Sequence, residues 1–346
     1  MRKEVQKAKI EMAAVLLGAI LLLSGCRSRF NEYQMSEMAM GTLISGTVYI
    51  EGEGEGETVT RELARALDVL ETEKLSWKLE GSEIFQVNQE GCGEVSEETA
   101  SYLNQVLKLC EDSGGAVDPT MGKVIELWDF DNGAGKVPDK SEIEKYLRYA
   151  DYRKVAVQGQ KVAIPDNTAL NLGAVGKGIG SDVMSELLKK QKQVKGAVLS
   201  LGNSSIVTYG NKPDGADWKV ALTDPSGDAG SYLGVLEFSG THFISTSGNY
   251  EKYFMKDGVR YHHILDPATG YPVENGLTSV TVIGDSGLLC DGLSTACFVL
   301  GVEKGQKLLK KYGVEGIFAD EDKNIILTDG AKGYFSLLNK DYNITR

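Results

Sequence analysis

The sequence predicts an α+β fold built on antiparallel strands, and three observations carry that expectation. Apolar residues recur at helical spacing over 58–73 (Leu63, Leu67, Val69, Leu70), 97–110 (Tyr102, Val106, Leu109), 174–190, 288–300 and 303–312. Apolar or alternating runs over 155–164, 197–201, 218–222, 233–238, 278–283 and 314–327 read as strands, the first and last of them as hairpins. No fixed-period repeat or low-complexity tract interrupts the series.

Residues 1–25 read as a lipoprotein signal peptide. A basic start (Arg2, Lys3, Lys7, Lys9) precedes an apolar run of twelve residues, Met12–Leu23, too short to span a bilayer comfortably. The run ends in Leu22-Leu23-Ser24-Gly25-Cys26, which resembles the bacterial lipobox, where the cysteine is lipidated and becomes the new N-terminus. Lipidated Cys26 would hold the protein on a bacterial membrane outside the cytoplasm, through additive burial of acyl methylenes. The plainer alternative is an ordinary signal peptide or short anchor. Residues 26–35 are expected to form a polar tether, and 51–57, alternating Glu and Gly, an exposed hairpin tip. Residues 36–346 are expected to form the functional body, long enough to bury a large core in one domain or two lobes.

The chain carries a formal charge of −12; residues 1–25 hold four basic and two acidic side chains, which leaves the remainder near −14. This balance argues against a nucleic-acid surface, and an anionic ligand must be met by local positive groups. Four cysteines follow Cys26 (Cys92, Cys110, Cys290, Cys297) in no zinc-binding spacing, and they are expected to be free, buried thiols.

Five stretches carry side chains suited to chemistry. Asn171-Leu-Gly173-Ala174-Val-Gly176-Lys177-Gly178 opens a helix, where glycines admit a close ligand and unpaired N–H groups with Lys177 suit phosphate oxygens. Its spacing is neither the Walker nor the Rossmann pattern, and a glycine-rich helix start with a surface lysine would look the same. Ser113-Gly114-Gly115-Ala116-Val117-Asp118-Pro119-Thr120 is a tight turn whose Asp118 could accept from a ribose hydroxyl or base amine, or simply cap a helix. Thr246-Ser247-Gly248-Asn249-Tyr250 offers small hydroxyls after a strand, as a ligand cleft or a plain turn would. His263 stands beside the turn Asp266-Pro267-Ala268-Thr269-Gly270, and its near-neutral pKa suits deprotonating a hydroxyl, with Asp266 either orienting it or holding the turn. Asp291, Ser294 and Thr295 share one face of an otherwise apolar helix; such hard oxygens suit Mg²⁺, although Asp291 as a cap and Thr295 bonded back to a carbonyl would fit the same pattern.

In their common order these blocks resemble the ApbE family, the FAD:protein FMN transferases. The resemblance runs from about Met40 to the C-terminus. It rests on Met40-Gly41-Thr42, Ser82-Glu83-Ile84 with Asn88, Gly115–Thr120, Leu127-Trp128-Asp129-Phe130, Gly173–Gly178, Thr246–Tyr250, His263–Pro272 and Asp291–Thr295. It implies a T-fold-like α+β body that binds FAD as substrate with Mg²⁺. On that resemblance, the FMN half would pass to a threonine hydroxyl of an extracytoplasmic acceptor, such as a redox-complex subunit or flavin-binding domain, and AMP would leave. By motif match, Met40 and the Ala116-Val117-Asp118 turn would contact the adenine and ribose side. Asn171, Lys177 and the Leu265 backbone would sit by the bound FAD. The carbonyl of Ala174 and the side chains of Asp291 and Thr295, with Ser294 adjacent, would hold the metal, and His263 would be the base. The chain departs from the family in three places: Ser76-Trp77-Lys78 stands where many members have Ser-Thr-Tyr, so Trp77 and Lys78 would take the cofactor side; Asn171 replaces a common acid; and Leu201-Gly202-Asn203-Ser204-Ser205-Ile206 lacks a second glycine. Two other readings stay open: an Mg²⁺-dependent FAD hydrolase giving FMN and AMP, and a non-catalytic flavin-binding lipoprotein.

Overall fold

Two ten-residue strands, β1 (Phe30–Ala39) and β2 (Thr42–Glu51), come first among the described elements, joined by a two-residue turn. The structure, a computed structural model, describes residues 30–345 except 53, 131–134 and 229. Helix α1 (Gly56–Val69) runs into a π-helical turn (Leu70–Leu75), and α2 (Glu83–Glu90), β3 (Cys92–Glu94) and α3 (Glu97–Asp112) follow. Next come α4 (Gly122–Trp128), α5 (Lys140–Leu147), the hairpin β4 (Ala156–Gln158) and β5 (Lys161–Ala163), and α6 (Gly176–Lys190). Strands β6 (Val194–Leu201), β7 (Ser205–Gly210), β8 (Trp218–Thr223), β9 (Tyr232–Phe238), β10 (His242–Gly248), β11 (Tyr253–Lys256), β12 (Val259–His262) and β13 (Leu277–Gly284) lead to α7 (Gly287–Tyr312). The chain closes with β14 (Glu315–Asp320), β15 (Asn324–Leu327), β16 (Phe335–Leu337) and β17 (Asn343–Thr345).

Among the described residues the main sheet has nine strands in the order β1-β2-β6-β7-β10-β13-β14-β15-β17. Its neighbours are antiparallel up to β15, which pairs with β17 in parallel. Alternation along each strand sends side chains to two covered faces. Phe243, Val282 and Phe318 face the helices with Leu63, Leu67, Ile179, Leu288 and Leu293. Their sequence neighbours Ile244, Ile283 and Ile317 face the three-stranded sheet β16-β9-β8, with Trp218, Leu236 and Phe238. Strand β13 is buried on both faces over nearly its whole length, which explains its continuous apolar and hydroxyl composition. A third cluster around Trp128, with Met121, Val124, Ile143 and Leu265, packs α4 and α5 onto the loop after β12.

The expected class, α+β with antiparallel sheets, is the one observed. The two helices expected over 288–300 and 303–312 are both present within α7, separated at Gly301, whose non-helical φ of 76° and ψ of 177° only glycine adopts readily. Residues 30–35, expected in the tether, belong to β1, because Tyr33 and Met35 turn inward against the body. Residues 51–57 connect a strand to a helix and are not a hairpin tip. The segment 246–248 is the end of β10, not a loop after it. Cys110, Cys290 and Cys297 are free and buried as expected, whereas Cys92 is exposed. Cys26 and the expected signal peptide, residues 1–25, lie outside the described residues.

Candidate functional site

The site forms where two turns and two helix starts meet at one end of the main sheet. The β1–β2 turn holds Met40 and Gly41, both at positive φ (53° and 67°), as a primed two-residue turn requires. Beside it lies the β6–β7 turn, where the Gly202 N–H donates to the Leu43 carbonyl at 2.9 Å. A Cβ on Gly202 would stand 2.3 Å from Thr42 Oγ1, so the close approach of the turns needs glycine there.

Helices α6 and α7 close each other's N-termini. Asp182 of α6 accepts from the Gly287 and Leu288 N–H groups of α7 at 2.6 and 2.8 Å. In return Asp291 Oδ2 accepts from the Gly178 N–H at 2.8 Å, and the Lys177 N–H also points to this carboxylate. Each carboxylate satisfies orphan donors at the positive end of a helix. These N–H groups were expected to meet phosphate; in the structure they meet Asp291. The crossing is so close that a Cβ on Gly178 would lie 2.1 Å from the Gly287 carbonyl oxygen and 2.6 Å from Asp291 Cβ. Gly178→Ala is therefore expected to destabilise by about 1–3 kcal/mol through overpacking, read as a lowered Tm, and to weaken any function that depends on the crossing.

Hydroxyls surround Asp291. Ser205 Oγ donates to its Oδ1 at 3.3 Å and itself receives Ser245 Oγ at 3.2 Å. Phe243, Ser245 and Ser247 alternate along β10 onto one face, apolar at the far end and hydroxyl-bearing at the site. Ser247 Oγ links Ser294 (2.8 Å) and Thr295 (3.0 Å). Both α7 hydroxyls also donate back to the Asp291 carbonyl, at 2.8 and 3.3 Å. Ser294 is wholly buried and engaged on both sides, while Thr295 is half-buried. Burial raises the Asp291 pKa above the usual carboxylate value, against the pull of Lys177, the Gly178 N–H and Ser205.

Lys177 is the electrostatic hub. Its Nζ bonds Ser204 Oγ and stands 3.9 Å from Glu251. Its charge acts on Asp291, on Glu251 and on His263, so these groups share one side of the molecule. The Glu251 pKa is raised by burial, opposed by Lys177 and reinforced by Asp291. The half-buried His263 has its pKa pushed down to about 3, first by burial and then by Lys177, His262 and Lys252.

The two adjacent histidines hold opposite tautomers. His262 Nδ1 accepts from the Ile264 N–H at 3.3 Å, so its Nε2 carries the hydrogen donated to the Val273 carbonyl at 3.0 Å. Its ring stands edge-on to Phe298, and its role is structural. His263 Nδ1 lies 3.2 Å from the Lys252 carbonyl, which can only accept. A neutral His263 therefore carries its hydrogen on Nδ1 and keeps the Nε2 lone pair. Asp266 does not orient it: its Oδ1 takes the Ala268 N–H at 2.9 Å, and its carbonyl takes those of Thr269 and Gly270. Asp266 holds the turn.

The remaining motif residues brace the site. Asp118 Oδ1 takes the Thr120 N–H and hydroxyl at 2.8 and 2.6 Å, and its Oδ2 takes the Tyr152 N–H at 3.1 Å; α4 has Met121 at its N-cap and no side-chain cap, so Asp118 braces the turn and does not cap that helix. Ala116 and Val117 are buried in the main core. The Asn171 N–H donates to the Pro119 carbonyl at 2.7 Å, which ties that turn to the start of α6, and Asn171 Oδ1 takes the Gly173 N–H at 2.7 Å. Asn88 pairs with both backbone groups of Leu170. Trp128 Nε1 donates to the Gly270 carbonyl at 2.9 Å, and the Leu265 side chain packs in the Trp128 cluster. Trp77 is half-buried against the core, with the Lys78 ammonium 4.9 Å from its ring centre. Sequence reasoning did not single out Glu251, Ser245, Asp182 or Glu71. No local pattern marks them, because each acts through a partner distant in the chain.

Among the described residues, no three His, Cys, Asp or Glu side chains gather as a metal cluster. The donors at the α6–α7 crossing are of another kind: one buried carboxylate, a threonine hydroxyl and a carbonyl. Ala174 precedes Val175, the N-cap of α6, so its carbonyl is not an acceptor of the helix ladder, whose first bond runs from the Ile179 N–H to the Val175 carbonyl at 2.9 Å. A single carboxylate with neutral hard oxygens fits a Mg²⁺ ion that takes its other ligands from phosphate and water.

The family model described as ApbE family matches residues 40–318. An FAD:protein FMN transferase of Treponema pallidum is similar at 31% identity over 343 residues, 93% of this chain and 94% of its own. Another, from Vibrio cholerae, is 32% identical over 300 residues, 84% of this chain and 88% of its own. Among solved structures, the ApbE protein of Thermotoga maritima matches with a TM-score of 0.79 at 28% identity, over 88% of this chain and 99% of its own. The flavin transferase ApbE from Vibrio cholerae matches at 0.78 and 26%, with the same coverage of both chains.

Proposed function

This chain belongs to the ApbE family, and on that premise we propose that it is an FAD:protein FMN transferase that passes the FMN half of FAD to a threonine hydroxyl of another protein and releases AMP. The observation that most supports this reading is the Nε2 lone pair of His263, held available by the Nδ1–Lys252 contact beside the Lys177 charge.

In the proposed reaction, the acceptor threonine gives its hydroxyl proton to His263 Nε2. Its oxygen bonds to the FMN phosphorus, and the bond from that phosphorus to the bridging oxygen of AMP breaks. Such a displacement is mainly a matter of placement and charge neutralisation. Lys177 faces the diphosphate, while Ser204 fixes its ammonium. The Ala174 carbonyl, Asp291 and Thr295 would hold Mg²⁺, which supplies further charge neutralisation on the diphosphate. Ser205, Ser245, Ser247 and Ser294 orient these donors.

We further propose, from the sequence of the leader, that Cys26 is lipidated and anchors the protein outside the cytoplasm. No described helix is long and apolar enough to cross a membrane. Incubating the protein with FAD, Mg²⁺ and a purified acceptor domain is expected to add the mass of one FMN to a threonine, stable to denaturation. FAD cleavage to FMN and AMP at an undiminished rate, with no adduct, would assign hydrolysis in place of transfer.

A further inference from the structure

One carboxylate outside the chemistry just described joins two segments expected to hold FAD. Glu71 lies on the π-helical turn Leu70–Leu75, a local irregularity of the kind often found at functional sites. Its side-chain Oε2 accepts from the Met40 N–H. Its backbone carbonyl accepts from the Ser76 N–H at 3.1 Å, where the Ser76-Trp77-Lys78 segment leaves the turn. That second bond is the closing backbone bond of the π-helical turn, so the Glu71 carboxylate ties the Met40 turn to the element from which the Trp77 segment leaves.

Met40 needs that support. The β1–β2 ladder ends at the Ala39–Thr42 pair, so the Met40 N–H has no cross-strand partner. Its φ of 53° is uncommon for a side chain that is neither Gly, Asn nor Asp. The Met40 side chain in turn lies over the first turns of α6. A Cβ on Gly180 would meet its Sδ at 3.0 Å, and one on Gly176 its Cε at 3.8 Å. The turn bearing Glu71 is itself pinned, since Lys74 pairs with Glu98 of α3. A side chain held in an unfavoured backbone geometry by a single outside acceptor is held for its position.

We infer that Glu71 is a positioning residue for FAD: its carboxylate, as a hydrogen-bond acceptor, fixes the Met40 turn against the π-helical turn that leads into the Trp77 segment, in the geometry that receives the nucleotide. The inference rests on the proposed FAD site and goes beyond it by assigning a residue that does not itself touch the ligand.

The test measures FAD affinity and steady-state transfer for the full chain and for Glu71→Ala, Glu71→Gln, Met40→Gly and the double variant Met40→Gly/Glu71→Ala. Glu71→Ala is expected to raise the Kd and KM for FAD about tenfold while kcat at saturating FAD stays within about twofold. Glu71→Gln, whose amide oxygen still accepts from Met40, is expected to stay within about threefold of the parent. In the Met40→Gly background, Glu71→Ala is expected to add less than about threefold, because glycine adopts the turn unaided. Unchanged FAD affinity in Glu71→Ala, or a tenfold loss in Glu71→Gln, overturns the inference; the latter outcome would assign the charge to direct ligand contact. An equal loss in both Met40 backgrounds overturns it too. Failure of the unaltered protein to bind FAD would instead sink the proposed function.

Discussion

Replacing Asp291 with asparagine is expected to lower FMN transfer about 10²–10³-fold while the protein stays folded. The magnitude follows from removing the one charged ligand of the proposed Mg²⁺ site, an effect of several kcal/mol at roughly 1.4 kcal/mol per tenfold in rate. The fold survives because the asparagine oxygen still accepts from the Gly178 N–H now held at 2.8 Å. Asp291→Ala differs: it also leaves that buried N–H without an acceptor, which costs about 1–3 kcal/mol. The pair of variants therefore separates chemistry from stability. Activity against Mg²⁺ concentration and thermal unfolding would be measured together. Parental activity and an unchanged Mg²⁺ dependence in Asp291→Asn would remove Asp291 from the metal site.

His263→Ala is expected to lower transfer about 10²–10⁴-fold, the range typical of a lost general base, and to leave FAD affinity within about threefold. The pH behaviour follows from the charges around the ring. With a pKa near 3 in the free protein, His263 is neutral and competent through mildly acidic pH, and activity falls only as it protonates. Binding a diphosphate offsets the Lys177 charge that helps to hold the pKa down, so the pKa rises in the complex. The acid limb of kcat should then lie at higher pH than that of kcat/KM for FAD, since the first reports the complex and the second the free enzyme. The stability sign is also determined. The unfolded residue titrates near 6.5 and the folded one near 3. Its share of stability is complete above about 6.5 and is lost as pH falls from there toward 3. Coincident acid limbs for kcat and kcat/KM would contradict this arrangement.

Secondary structure and motif order were legible because they are local. Leu63 and Leu67 show their helix by spacing, and the Asp-Pro-Ala-Thr-Gly turn after His263 shows itself by composition. Roles were legible only where chemistry is also local. Asp118 reads in the sequence as a ligand acceptor or a helix cap, and its bond to the Tyr152 N–H appears only in the fold; Asn88 and Trp128 enter by motif order alone, and only the fold shows that they bond Leu170 and Gly270. Which of two adjacent histidines keeps a free nitrogen depends on carbonyls eleven residues away, at Val273 for one and at Lys252 for the other. The start of the body was placed too late for a similar reason: residues 30–35 are polar along one edge, and only pairing with β2 makes them a strand.

The reciprocal closure of α6 and α7 has a consequence for how the site comes into being. Neither helix can fray at this end without stripping a carboxylate from the other, so the two behave as a single cooperative unit although their linking residues are more than a hundred positions apart. Such units open near the free energy of global unfolding. The Asp291 carboxylate is thus fixed in place by the fold itself, and in the proposed reaction binding energy remains available for orienting the reacting phosphorus.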